Sequence, residues 1–466
     1  MKKIILILVS IALSSSALCE TLSNKAVFYR CYRQITQTFP KPNHPYVQQV
    51  VDETITPSQA CINILNKALF RANSNNRISN ASDKEAIAVL KTMHNLHYSW
   101  LTNKTIPNVA DNIVKYTKNF VDVNGPALYF TKALFTPDYE FKNIFLGKKH
   151  YESYRTNNDP EESARGDSKS EFPRIKTPFQ FVSLGDLLGV KEFTVKNVPY
   201  SEVNGGSRRD SRFSWDLHLG GGILGSNMYF MNNLNEQPLK KSNGTNVMPR
   251  KWTTTLVKDF LCRDVPVLRY SDTTPFIVNN SETEFRRDGA CIRCHATMDR
   301  TAGLIRGVHY KARIMGLSSG EIQRLIEINN YGDSRDPVNG WSDEDDGSFY
   351  RRPSTGHFMY RTFDGKLIDK SLQNLEGLGA TFVSLDDPYV CVAKRYYEYF
   401  TGVNANIDDI ADPQYGVTLS SADIKHRNEV ITLGKAFKSH QNVRTLIKNI
   451  LDRPQFKESD FKIPSN

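Results

Sequence analysis

The five residues from Cys291 to His295, C-I-R-C-H, constrain this chain more than any other stretch. They have the C-x-x-C-H spacing at which a c-type haem is attached. Two thiols must reach the two vinyl groups of one porphyrin, and an imidazole must lie under the iron. On a helix these three side chains stand at i, i+3 and i+4 and project from one face. The motif predicts one covalent haem c held by Cys291 and Cys294, with His295 as the axial ligand of the iron.

Two other interpretations of the motif use fewer of its residues. A redox dithiol does not need the histidine that follows Cys294. A structural zinc site needs a second pair of Cys or His ligands at a suitable spacing, and the sequence has none nearby. Haem attachment is therefore the favoured interpretation.

The sequence leaves open which residue binds the other side of the iron. Met298 follows His295 on the same predicted helix, which places it on the proximal side. Met359 lies several tens of positions downstream, as the distal methionine of small c-type cytochromes does, and it is the distal candidate. His357 would point to the same side of a predicted strand and is the distal alternative. An ordinary core methionine is an equally good interpretation of Met359.

The first 19 residues predict a secretory signal. Two lysines precede an apolar core from position 4 to 13, and small residues follow. Cleavage after Ala17 and cleavage after Cys19 both fit, and bulky Leu18 argues against lipid attachment at Cys19. The apolar run is too short to span a bilayer, and no later run reaches that length. We expect a periplasmic or secreted bacterial protein, in agreement with c-type haem attachment.

Cysteine usage is consistent with an oxidising compartment. Besides Cys19 and the two cysteines of the haem motif, four cysteines remain, which predicts two disulfides with three pairings open. We favour Cys31–Cys61, which would join neighbouring helices, and Cys262–Cys391, which would join the segments on either side of the haem helix. Free buried thiols are the alternative for the second pair.

The hydrophobic pattern predicts a mainly α fold with minor β structure. After the signal at 1–19 we expect an N-terminal α-helical domain at 20–156, a loop-rich middle region at 157–250 and a c-type cytochrome-like α domain at 251–466. Glycines cluster between 220 and 225 without the Lys-Ser/Thr of a phosphate-binding loop. They predict close packing of the backbone against a helix or the haem.

Two segments of the N-terminal domain give specific predictions. A capping box that begins at Ser82 predicts a helix to about Leu101. His94 and His97 stand three residues apart in it, but without a neighbouring Cys or carboxylate we favour aromatic packing over a metal site. The segment Tyr139–Tyr151 also has helical spacing.

The charge is basic but scattered. Lys and Arg exceed Asp and Glu by 10, without a basic run or stripe. We therefore expect no nucleic-acid partner. The basic surface would guide an acidic redox partner.

Motifs in the second half of the chain follow a distinctive order. They are Gly221–Leu224, Asn243–Thr245, Pro249–Trp252, Cys291–Arg300, Tyr360–Asp369, Tyr389–Val392, Tyr399–Gly402 and Leu446–Phe456. This order resembles the C-terminal region of planctomycete-type cytochrome c proteins. Two departures lie beside the haem motif: Arg300 stands where that family usually has proline, and its proline-rich run is reduced to Pro266. The resemblance implies a periplasmic protein with one haem.

Three functions fit this set of predictions. Electron transfer is favoured because it needs only a covalent haem, an exposed edge and two axial ligands. A binding, sensor or scaffold module is an alternative, since a bare carrier needs about a quarter of this length. A peroxidase-like oxidoreductase is another, with His309, His357 or Arg306 as a distal group. The single C-x-x-C-H motif counts against a two-haem peroxidase, and no catalytic residue is assigned.

Overall fold

The fold is mainly α-helical, as the sequence predicts. The computed structural model describes residues 21–71, 76–101, 124–155, 187–193, 198–199, 212–213, 219–226, 229–230, 233, 247–282, 284–305, 308–309, 327–328, 355–414 and 418–458. The predicted signal and most of the predicted middle region lie outside these residues. No helix in the described ranges is long and apolar enough to cross a membrane.

The helices fall into an N-terminal and a C-terminal group. In chain order they are α1 (Asn24–Thr36), α2 (Pro45–Val51), α3 (Pro57–Asn66), α4 (Lys84–Leu101), α5 (Gly125–Phe135), α6 (Val247–Leu261), α7 (Tyr270–Thr273), α8 (Glu284–Arg287), α9 (Gly289–Ala302), α10 (Leu375–Ser384), α11 (Asp387–Thr401), α12 (Ser421–His440), α13 (Val443–Leu451) and α14 (Pro454–Lys457). Side-chain caps begin several of them. Thr56, for example, accepts from the backbone N–H of Gln59 at the start of α3.

The strands form small antiparallel sheets. They are β1 (His150–Arg155), β2 (Leu187–Phe193), β3 (Val198–Pro199), β4 (Arg212–Phe213), β5 (Val308–His309), β6 (Glu327–Ile328), β7 (Gly356–Arg361) and β8 (Leu367–Leu372). β1 pairs with β2, β7 pairs with β8, and the short strands follow the order β3-β4-β6-β5. In the β7–β8 hairpin Met359 lies opposite Asp369 and His357 opposite Ser371.

One continuous hydrophobic core joins the N-terminal and the C-terminal helices. Arg30 on α1 donates to the carbonyl oxygen of Phe456 at 2.7 Å, and Gln34 donates to that of Phe400 at 2.9 Å. The structure also contains the favoured Cys31–Cys61 disulfide, which ties α1 to α3. The described parts of 20–156 and 251–466 therefore share a core, and the predicted domain boundaries remain predictions.

The segment Tyr139–Tyr151 does not form the predicted helix. A single 3-10 turn covers Phe141–Phe145, and the backbone then adopts a positive φ of 80° at Gly147. From His150 the chain is extended and pairs with β2. The helical prediction was wrong because the pairing partner lies far along the chain and leaves no local signal.

Helix α4 begins at Lys84, one residue later than a capping box with Ser82 as its N-cap predicts. Asp83 is the residue that caps it, because its carboxylate accepts from the N–H of Glu85 at 2.9 Å and of Ala86 at 3.2 Å. Glu85 does not complete a box and instead accepts from Tyr32 at 2.5 Å. The predicted C-terminal end at Leu101 is correct.

The glycine cluster packs against a helix, as predicted. Gly221 has a φ of 70°, and a Cβ added to it would lie 2.4 Å from the carbonyl oxygen of Leu375 at the start of α10. A Cβ on Gly222 would lie 2.1 Å from the carbonyl oxygen of Ile144. Only glycine permits this approach of the backbone to both neighbours.

Candidate haem-attachment site

Helix α9 carries the C-x-x-C-H motif. The carboxylate of Asp288 caps it by accepting from the N–H of Ala290 at 2.7 Å. Gly289 opens the helix against the ring of Tyr270, where a Cβ would approach within 2.5 Å. The capped start and the glycine contact fix where the motif begins, so its side chains have defined directions.

The middle residue of the motif anchors the helix on one side. Arg293 Nε donates to the carbonyl oxygen of Leu268 at 2.8 Å. Its guanidinium also lies 3.2 Å from the carboxylate of Asp412 and 3.3 Å from the amide oxygen of Gln414. Arg293 and Asp412 are 20% and 11% exposed, and the pair ties α9 to the loop after α11.

Two threonines anchor the helix to strand β7. The hydroxyl of Thr297 donates to the carbonyl oxygen of Met359 at 2.8 Å, and that of Thr301 donates to the carbonyl oxygen of His357 at 3.0 Å. Both threonines are fully buried. Because both contacts are made on one flank, the helix cannot rotate without breaking them.

The segment before the helix is held to the segment after it. The structure contains the favoured Cys262–Cys391 disulfide, which joins the end of α6 to α11. Arg269 donates to both carboxylate oxygens of Asp409, at 2.7 and 2.9 Å. Although burial raises the pKa of Asp409, the hydrogen bond and charge of Arg269 outweigh it and lower that pKa below its usual value. This pair is therefore ionised at neutral pH.

The haem-motif side chains share one half-exposed stripe of α9. Cys291, Cys294, His295 and Met298 are all half-buried, whereas Ile292 and Ala296 on the opposite flank are buried. Among the described cysteines, Cys291 and Cys294 are the pair outside a disulfide. Burial raises the pKa of the Cys294 thiol, with the charge of Arg293 opposing it. The predicted face is formed, and its two thiols are not joined to each other.

The imidazole of His295 is held by a carboxylate one turn along the helix. Its Nδ1 lies 2.9 Å from Oδ2 of Asp299. Arg250 on α6 holds the same carboxylate with two bonds, from Nε to Oδ1 at 2.6 Å and from Nη2 to Oδ2 at 3.2 Å. Because Asp299 engages Nδ1, Nε2 is the ring nitrogen that would bind iron.

The structure does not bring Met359 to the face that carries His295. The side chain of Met359 packs with Leu268, Ile292 and Ala296, and its sulfur lies 3.3 Å from Nη1 of Arg300. With about 100° of rotation per residue, that stripe lies about 150° around the helix from the haem-motif stripe. Met359 therefore occupies a core position behind α9.

His357, the distal alternative, is likewise engaged away from the motif. Its ring nitrogens lie 3.3 Å from the hydroxyl of Ser371, and Nδ1 lies 3.5 Å from the carboxylate of Asp369. Both partners are on the neighbouring strand β8. Of the other distal candidates, Arg306 lies outside the described residues, and of His309 the structure describes only the backbone.

The histidines of α4 form a buried hydrogen-bonded chain. The hydroxyl of Thr131 lies 2.9 Å from Nδ1 of His94 and 3.0 Å from Nδ1 of His97. Nε2 of His94 contacts the amide oxygen of Asn124 at 3.1 Å, and Nε2 of His97 contacts the hydroxyl of Tyr396 at 2.7 Å. Aromatic rings surround His97. The two histidines therefore pack among aromatic and polar side chains, which is the interpretation favoured from the sequence.

The donor set on α9 fits a covalent haem. It consists of two thiols outside disulfides, one turn apart, and an imidazole that is oriented by a carboxylate. In the described ranges, α9 included, the protein side chains alone form no group of three or more His, Cys, Asp or Glu that could hold a metal ion. The fit therefore rests on the three predicted residues Cys291, Cys294 and His295.

Comparisons with known proteins add nothing to the haem assignment, which depends on the residues of α9 alone. Searches of protein-family models, of curated proteins and of solved structures return no match to the chain. The resemblance to planctomycete-type cytochrome c proteins remains an expectation from the order of motifs.

Proposed function

We propose that the protein is a periplasmic c-type cytochrome-like protein that holds one covalent haem and transfers electrons. The observation that carries the proposal is the half-exposed stripe of α9, where two thiols outside disulfides and a carboxylate-held imidazole stand at i, i+3 and i+4. The haem would supply one-electron redox chemistry at its iron. The family resemblance and the predicted export signal support the same proposal.

The chain's own residues have separate roles in this proposal. Each thiol, Cys291 and Cys294, would add across one vinyl C=C bond of the haem, with its sulfur bonded to one carbon and the thiol proton on the other. No oxidant or reductant is consumed. His295 would ligate through Nε2 while Asp299 holds Nδ1. Arg293, Thr297 and Thr301 keep the helix from turning.

Attachment can be tested with two pairs of cysteines. The wild-type chain is exported in a host with c-type haem maturation and stained for haem on a denaturing gel. We expect staining of the wild type and none of Cys291→Ala/Cys294→Ala. The matched control Cys31→Ala/Cys61→Ala removes the two cysteines of the α1–α3 disulfide and should keep the stain. An unstained wild type, or a stained haem-motif variant, would refute haem attachment.

Carbon monoxide tests the electron-transfer part separately. An electron carrier has both axial positions filled, so its reduced form binds carbon monoxide slowly or not at all. Rapid binding would show an open position and favour a binding or enzymatic function. In that case haem attachment would stand and electron transfer would be rejected.

A further inference from the structure

The contacts around Asp299 connect the axial histidine to a second helix. Oδ2 of Asp299 lies 2.9 Å from Nδ1 of His295, and the same oxygen lies 3.2 Å from Nη2 of Arg250. Oδ1 takes the remaining contact, 2.6 Å from Nε of Arg250. One carboxylate is therefore shared between an imidazole on α9 and a guanidinium on α6.

We propose that Asp299 is a positioning residue that fixes the ring of His295 and lowers the midpoint potential of the haem, and that Arg250 limits this effect. The inference rests on the proposed function, because it concerns the residue that would ligate the iron. It adds to the site two residues, Arg250 and Asp299, that the C-x-x-C-H motif does not contain.

The direction of the effect follows from where the ring proton lies. When Nε2 is the ligating nitrogen, Nδ1 carries the proton and donates to Asp299. A carboxylate acceptor gives the ring more imidazolate character, so Nε2 donates more strongly and stabilises ferric over ferrous iron. The potential is lowered as a result. Arg250 withdraws charge from the carboxylate through its two bonds and so weakens the acceptor.

The geometry also limits the ring to one orientation. His295 and Asp299 are four residues apart on a helix that Thr297 and Thr301 hold against β7. The carboxylate is held in turn by a planar guanidinium, which favours one arrangement of its two oxygens. His295 is 22% exposed and Asp299 is 32% exposed, so substitutions at Asp299 do not open the core.

The test compares midpoint potentials of proteins that all carry covalent haem. Asp299→Asn should raise the midpoint potential, with an increase of about tenfold in the ratio of reduced to oxidised haem at a fixed potential, or about 59 mV for one electron. Arg250→Gln should shift the ratio the opposite way. The matched controls Asp369→Asn and Arg300→Gln remove the same charges from the opposite side of α9 and should give much smaller shifts.

A double variant separates action through Asp299 from a general effect of charge. If Arg250 acts through the carboxylate, Arg250→Gln should have little effect in the Asp299→Asn background. A full shift in that background, or an Asp299→Asn protein with the wild-type potential, would overturn the inference while haem attachment stands. A wild-type chain without covalent haem would instead overturn the proposed function, and this inference with it.

Discussion

Helices α4 and α9 both carry potential metal ligands three residues apart, and they differ in what surrounds those ligands. His94 and His97 on α4 are fully buried and contact Thr131, Asn124 and Tyr396. Cys291 and Cys294 on α9 are half-buried on a stripe that faces away from the core. Ligand spacing alone therefore does not identify a site. The surroundings decide whether such residues pack or bind.

The largest expected difference between the helices is in stability. His97→Ala leaves a cavity among aromatic rings and removes the partner of the Tyr396 hydroxyl, so it should lower the free energy of unfolding by about 3–5 kcal/mol. His295→Ala removes a partly exposed ring that lies outside the core and should change that energy by less than about 1 kcal/mol. Urea unfolding of the haem-free chain measures both. Equal losses would remove the distinction between a packing helix and a binding helix.

The next effect is a pH dependence that belongs to α4. Burial, with the charge of His94 adding to it, holds the pKa of His97 well below its usual 6.5. Above about pH 6.5 neither the folded nor the unfolded state protonates this ring, and its stabilising contribution is complete. Below that pH the ring is protonated in the unfolded state but not in the folded state. The free energy of unfolding therefore falls by about 1.4 kcal/mol per pH unit.

The variant His97→Gln isolates this dependence because glutamine does not titrate. The difference in unfolding free energy between wild type and variant should be constant above pH 7 and should fall as the pH drops from 6.5 towards 5. His150, whose pKa burial lowers to about 4, and Asp387, whose pKa burial raises to about 7, titrate in both proteins and cancel. Parallel curves for the two proteins would contradict the assignment of this slope to His97.

The sequence predicted those parts of the site that depend on local spacing. The motif Cys291–His295 forms one helical face because i, i+3 and i+4 coincide on any helix. Two disulfides were predicted because four cysteines remained after Cys19 and the two cysteines of the motif were set aside, and the structure contains both favoured pairs. The mainly helical fold was also predicted from local spacing, because the hydrophobic pattern of a helix repeats within a few residues.

The remaining parts depend on contacts between distant segments. Arg250 and Asp299 are 49 positions apart, so no local pattern connects them. Asp299 itself lies four residues after His295, and that spacing could have indicated the contact. Alternation along β7 puts His357 and Met359 on one side, but it does not reveal which side of the strand faces α9. That choice depends on the bonds from Thr297 and Thr301.

The smallest expected effect comes from a substitution on the side of α9 that lies opposite His295. Met359→Leu conserves volume in a buried position, so it should cost less than about 1.5 kcal/mol. Because its sulfur contacts Arg300 on the stripe opposite His295, the substitution should leave the absorption spectrum of the haem-loaded protein unchanged. Loss of a methionine charge-transfer band would instead show that Met359 reaches the iron. That result would require the β7–β8 hairpin to pack on the other side of the helix.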